Sequence, residues 1–278
     1  MERKLLLLLV ALFIVTQAIG LFVAYNLVLG ISSGEIAQPG IVSENPNDPL
    51  NALALIGYIL IGTGVFLVSI KFMKRPFVFR ILEAFIVFIT SWIVFEFAFG
   101  EPIGIICAAL FLITRIVFSK SIWLRNASSV ISAAVVGSLV GVTLGMIPVL
   151  IFVVALAVYD YIAVFKTKHM VALAKGIKGK NLAFTIAMPT KDHTFELGTG
   201  DFVVPLAFAT SAMRGSFESG IAFPNYFFIA FLILIGSIVG LILTLEYLSK
   251  RIGTALPALP VQTGIMLAMF LLGKLLGF

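Results

Sequence analysis

Charge is what this chain has least of. Asp, Glu, Lys and Arg make up 12% of its 278 residues, about half the share found in soluble domains. With 61% apolar residues and a mean hydropathy of +1.16, a water-soluble globular protein is excluded. Cysteine is nearly absent as well. The single Cys107 cannot form an internal bridge, which excludes a disulfide scaffold. The two histidines, His169 and His193, have no cysteine or carboxylate cluster at ligand spacing, so no metal site and no cofactor are expected. No basic patch suited to nucleic acid is visible, and nucleic acid is not an expected partner.

Nine apolar stretches are present instead, at roughly 5–31, 50–70, 79–99, 102–119, 127–146, 148–165, 194–213, 224–248 and 256–276. Most approach the about 20 residues that carry a helix across a bilayer. The first opens with Arg3, Lys4 and a leucine run and contains Thr16-Gln17-Ala18, which together look like a signal peptide. Its apolar run to Ile31 is too long for a signal core, so it reads as a retained span.

Orientation follows from the 19 basic residues. With the N-terminus inside, all but Arg214 and Lys274 fall in inner segments, as the positive-inside rule requires. The expectation is an all-α, polytopic membrane protein with nine transmembrane helices, a cytoplasmic N-terminus and the C-terminus outside, placed as a multi-pass protein in the cell membrane. The net charge of +6 then reports topology and attraction to the lipid bilayer. A basic inner loop, 166–193, separates a six-helix part (1–165) from a three-helix part (194–278). Its stretch from Lys166 to Lys178 mixes lysines with Met170, Val171, Leu173 and Ile177, which suits a helix on the membrane surface or a solvated loop. Gly137, Gly141 and Gly145, and likewise Gly236 and Gly240, read as helix-packing seams. Asn126-Ala127-Ser128 has the form of a glycosylation acceptor but falls on the inner side.

Acidic residues inside spans are costly, about 2.5–3.5 kcal/mol each at a helix centre. Glu83, Glu96 and Glu246 lie near span ends, where they can pair or reach the surface. Asp160 and Asp201 cannot. Asp160 lies roughly 8 Å from the inner end of span six. If span seven begins near Thr194, Asp201 lies roughly 10 Å from the same end. Two neighbouring antiparallel helices thus carry aspartates at matching depth. Tyr159 and Tyr161 flank the first. The second closes Gly198-Thr199-Gly200-Asp201, where two glycines leave room beside the carboxyl and weaken the helix. Pro205 has no N–H to offer the Asp201 carbonyl, so a free acceptor and an irregular start to span seven are expected. Pro257-Ala258-Leu259-Pro260 opens span nine in the same membrane half, with extended backbone expected around its prolines.

Tyr159-Asp160, Gly198-Thr199-Gly200-Asp201 and Pro257-Ala258-Leu259, in this order on the sixth, seventh and ninth spans, resemble the YD, GxGD and PAL motifs of the presenilin and signal peptide peptidase family of intramembrane aspartyl proteases. The compact chain and short loops are similar to the archaeal homologues. The resemblance implies that Asp160 and Asp201 are catalytic, and that Tyr159, Gly198, Thr199, Gly200, Pro257, Ala258 and Leu259 line the substrate site. It implies transmembrane segments of other proteins as substrates, with their own N-termini outside. Thr199 stands where many relatives have an aliphatic residue, and the inner loop is shorter than in eukaryotic presenilins. No partner subunit is expected to be required, and assembly with further copies of the chain is left open.

Peptide hydrolysis needs one carboxyl to take a proton from water and another to give one to the leaving amine. Two carboxyls held close share a proton, and which is acid and which base stays open. A substrate helix must unwind near the glycines, and the stretch Leu182–Met188 or the Pro257 segment is expected to pair with the unwound strand. The alternative is a Na⁺- or H⁺-coupled transporter using the same aspartate pair as its ion site. A prepilin-peptidase type of enzyme also has a GxGD but lacks the PAL segment.

Overall fold

The computed structural model describes residues 3–72, 77–167, 185–189, 194–249 and 257–277. The described residues form nine α-helices: α1 (Arg3–Ser33), α2 (Pro49–Phe72), α3 (Phe77–Phe99), α4 (Ile103–Val117), α5 (Ile122–Thr143), α6 (Met146–Ile162), α7 (Gly200–Glu218), α8 (Phe228–Ser249) and α9 (Leu259–Leu275). A π-helical turn, Ala163–Thr167, continues α6. The surface-helix reading of Lys166–Lys178 falls almost wholly outside the described residues, as do His169, Asp192 and His193.

Helix ends follow local chemistry. Ser121 caps α5, its side chain accepting from the Leu124 N–H at 3.4 Å, so α5 starts five residues before the apolar run suggests. Gly220, at φ +79°, ends α7 in a Schellman turn. There the Ile221 N–H reaches the Ser216 carbonyl and the Gly220 N–H reaches that of Phe217.

Six helical segments are long and apolar enough to cross a membrane: Leu5–Ser33, Pro49–Phe66, Phe77–Phe99, Ile122–Thr143, Met146–Lys166 and Asn225–Tyr247. Helices α4 and α9, with 15 and 17 residues, are shorter than the about 20 residues of a full crossing. Helix α7 is the least apolar of the nine. The reason is its place at the centre. It packs on α1, α5, α6, α8 and α9, and Thr210, Ser211, Arg214 and Ser216 on it are buried against protein rather than lipid.

The glycine seams serve this centre. A Cβ at Gly137 would lie 2.8 Å from the Leu206 side chain, one at Gly141 would meet the Ala207 carbonyl, and one at Gly240 would lie 2.7 Å from Gln262 Cα. Gly145 belongs to a different contact, against Asn47 of the α1–α2 loop.

Two expectations change. The seventh helix does not begin near Thr194, and the chain is not wholly helical. Thr194–Gly198 is a strand, β2, antiparallel to β1 (Thr185–Pro189), with Ile186 opposite Leu197 and Ala187 opposite Glu196. The glycines that weaken a helix at 198 and 200 let the chain pass from strand to helix there. Ile186 and Met188 fill the core against Leu9, Phe13 and Phe202. The Phe13 and Phe202 ring centroids are 5.2 Å apart.

Candidate active site

Asp160 stands near the end of α6, half-buried, and the backbone N–H of Leu259 donates to its carboxylate. Next to it, Tyr159 hydrogen-bonds Thr63 on α2, which packs along α6. Pro257, Ala258 and Leu259 are all buried, so the start of α9 is pressed onto the carboxyl rather than turned to solvent. Only Pro257 is irregular. Ala258 is already in the helical region and Pro260 lies in the first turn, a position where its missing N–H costs nothing. The extended backbone expected across 257–260 is therefore confined to one residue.

Asp201 is the second residue of α7, half-buried, six residues closer to the helix start than expected. Its carboxyl lies within electrostatic reach of Asp160. Gly198 ends β2, Thr199 is the cap residue, and Gly200 opens the helix. The Thr199 carbonyl accepts from the N–H groups of Phe202 and Val203, each at 3.0 Å. Among the described residues, a Cβ at Gly198 or Gly200 would meet nothing within 4 Å. The three sequence segments, 159–160, 198–201 and 257–259, therefore converge.

The acceptor that Pro205 leaves on Asp201 is not free. Gln262 Nε2, from α9, stands 3.5 Å from that carbonyl oxygen. Gln17 Nε2, from α1, donates at 3.1 Å to the next carbonyl, that of Phe202. Both glutamines are buried, and neither stands out among acids when only charge is weighed inside spans.

Asn126, which in the sequence has only the form of a glycosylation acceptor, holds a strand. It is buried, and its side-chain amide donates to the Ala187 carbonyl and accepts from the Ala187 N–H, both at 2.8 Å. Ser129 donates to the Thr185 carbonyl at 3.1 Å. In an antiparallel pair, alternate residues turn both backbone groups toward the partner strand or away from it. The outer edge of β1 is thus taken by α5, so of the expected pairing stretch Leu182–Met188 the described part, 185–188, offers no open edge to a substrate, and 182–184 lie outside the described residues. On β2, Thr194, Glu196 and Gly198 stand opposite Pro189, Ala187 and Thr185, so their N–H and C=O groups turn away from β1, leading directly to Asp201.

A family model described as signal-peptide peptidase, presenilin aspartyl protease, matches residues 10–197. Two solved structures are similar over nearly the full length. One, titled as a presenilin family intramembrane aspartate protease in C222 space group, is 23% identical, covers 97% of this chain and 99% of its own, and has a TM-score of 0.68. The other, of a presenilin family intramembrane aspartate protease in P2 space group, is 25% identical, covers 99% and 98%, and has a TM-score of 0.65. No curated protein matches the chain.

Proposed function

We propose that this chain, which belongs to the presenilin and signal peptide peptidase family of aspartyl proteases, hydrolyses peptide bonds within the transmembrane helices of substrate proteins, with Asp160 and Asp201 as its catalytic pair. It is an aspartic endopeptidase and a membrane protein by that membership. The observation that carries the catalytic assignment is that the Asp160 and Asp201 carboxyls, from different helices, lie within electrostatic reach of each other, with the Leu259 N–H on Asp160 and no described atom crowding Gly198 or Gly200.

The chemistry runs through one shared proton. A water oxygen attacks the substrate carbonyl carbon while the ionised carboxylate takes the water's proton. The protonated partner then gives its proton to the amide nitrogen as the C–N bond breaks. The two aspartates exchange roles over the cycle, so either serves as acid or base.

A helical amide is shielded by its own hydrogen bonds, so the substrate must be opened first. The outer edge of β2 is the edge that suits this, since α5 closes the other one and β2 runs straight into Asp201. An unwound substrate strand adds there through main-chain bonds. Tyr159, Thr199, Pro257, Ala258 and Leu259 surround the same space.

Nine spans, an N-terminus inside and a C-terminus outside fit the basic-residue asymmetry, with α4, α7 and α9 as protein-supported crossings. In that orientation the enzyme sits in the cell membrane as a multi-pass protein and takes substrates whose N-termini are outside, without partner subunits. The test is cleavage of a transmembrane substrate in liposomes by wild type, Asp160→Ala and Asp201→Ala. Fragments cut within the span by wild type and by neither variant support the pair. No cleavage by folded wild type, with Na⁺ or H⁺ flux in the same liposomes, would instead favour the transporter.

A further inference from the structure

Proline at position 205 leaves the Asp201 carbonyl without the backbone donor that a helix would supply, because the ring has no N–H and crowds the carbonyl four residues back. The structure fills that gap from outside the helix. Gln262 brings Nε2 to the Asp201 carbonyl and Gln17 brings Nε2 to the Phe202 carbonyl. The two come from different helices, α9 and α1, both of which pack on α7.

Neither glutamine is there for general polarity. Both Oε1 atoms are buried and have no hydrogen-bond partner among the described residues, which makes each side chain a net burden except at its Nε2. A buried amide tolerated with half its groups unpaired points to a requirement at the other half. The backbone of Gln262 is also held. Gly240 on α8 approaches so closely that a Cβ there would lie 2.7 Å from Gln262 Cα and 3.0 Å from its nitrogen. The Gln262 N–H in turn donates to the Ala258 carbonyl at 3.1 Å, linking it to the segment that reaches Asp160.

We propose that Gln262 and Gln17 are positioning residues for Asp201: Gln262 supplies the donor that Pro205 cannot, Gln17 adds a donor at the next carbonyl, and together they fix the first turn of α7 in the orientation that presents the Asp201 carboxyl to Asp160. This rests on the reading of Asp201 as a catalytic group. Pro205 leaves one carbonyl of that turn without its helical donor, and the glutamines tie the turn to α9 and α1. The pair joins α1 and α9 to the acid without touching the carboxyl itself.

The experiment is a cycle of wild type, Gln262→Met, Pro205→Ala and the double variant. Methionine keeps the volume of glutamine and removes both the donor and the unpaired oxygen. Cleavage by wild type tests the underlying reading, and the cycle tests the proposal. Gln262→Met is expected to lower kcat about tenfold, the rate equivalent of one hydrogen bond, with KM and Tm little changed. In the Pro205→Ala background, where residue 205 regains an N–H for the Asp201 carbonyl, the same change is expected to lower kcat less than about twofold. Equal losses in the two backgrounds, or no loss in either, overturn the proposal.

A second readout does not need activity. The chain has four aspartates, Asp48, Asp160, Asp192 and Asp201, and backbone ¹³C=O labelling of aspartate isolates their carbonyl bands. Gln262→Met is expected to raise one band in frequency, and the double variant to return it. An unchanged spectrum overturns the proposal whether or not the protein cleaves.

Discussion

The backbone N–H of Leu259 donates to the carboxylate of Asp160, tying the first turn of α9 to the end of α6. The bond uses the main chain, so the leucine side chain is incidental to it. Leu259→Ala is expected to retain cleavage within a few-fold. Leu259→Pro, which removes the N–H at a helix position that tolerates proline, is expected to lower kcat/KM between about tenfold and a hundredfold, the range for a hydrogen bond to a charged group. Initial rates on one transmembrane substrate decide it, and equal rates for the two variants would falsify a role for that N–H.

The outward N–H of Glu196 offers a test of the substrate edge. Proline is tolerated where a strand's N–H faces away from the sheet, so Glu196→Pro leaves the β1–β2 bonds intact while closing one donor to an incoming strand. Cleavage is expected to fall strongly with the melting temperature little changed. Full activity in Glu196→Pro would show that substrates do not pair along β2.

Asn126 stands in for a neighbouring strand. Asn126→Ala leaves the N–H and C=O of Ala187 buried and unpaired, at a cost of about 1–3 kcal/mol for each group. We expect a lower melting temperature together with altered cut positions, because an opened β1 edge allows a second way to pair. Mass spectrometry of the products would reveal the shift; unchanged positions would confine Asn126 to stability.

Two glycines separate packing from substrate space. Gly141→Ala would push a Cβ into the Ala207 carbonyl and is expected to destabilise by about 1–3 kcal/mol. Gly200→Ala meets nothing within 4 Å among the described residues and is expected to leave stability alone while reducing cleavage. If Gly200→Ala cleaved normally, the space beside Asp201 would not be the substrate's.

Arg115 on α4 and Glu83 on α3 form a buried ion pair, with Nη2 to Oε1 at 2.8 Å. Removing one member breaks a buried charge pair and is expected to cost about 3–5 kcal/mol, whereas replacing both by apolar residues recovers most of it. Thermal denaturation of Glu83→Leu, Arg115→Met and the double variant checks this. The pair lies on α3 and α4, so the recovered double variant should cleave like wild type.

The sequence by itself pointed to lipid as the solvent, to apolar runs that correspond to the nine helices of the described residues, and to the candidate residues of the site. Lipid demands internally satisfied, apolar segments, so spans stand out as runs, and Asp160 and Asp201 stand out within them because a short carboxyl there needs a reason. The glycines of 198–201 also announced an irregular entry to α7, though not that the entry is a strand. Only the tertiary structure decided what completes the site. Gln17 reaches Phe202 across 185 positions, and Gln262 and Asn126 each reach partners 61 positions away. Such bonds depend on how helices are rotated and tilted against one another. Hydrophobic periodicity, which is the same for a helix in any rotation within lipid, carries no record of that.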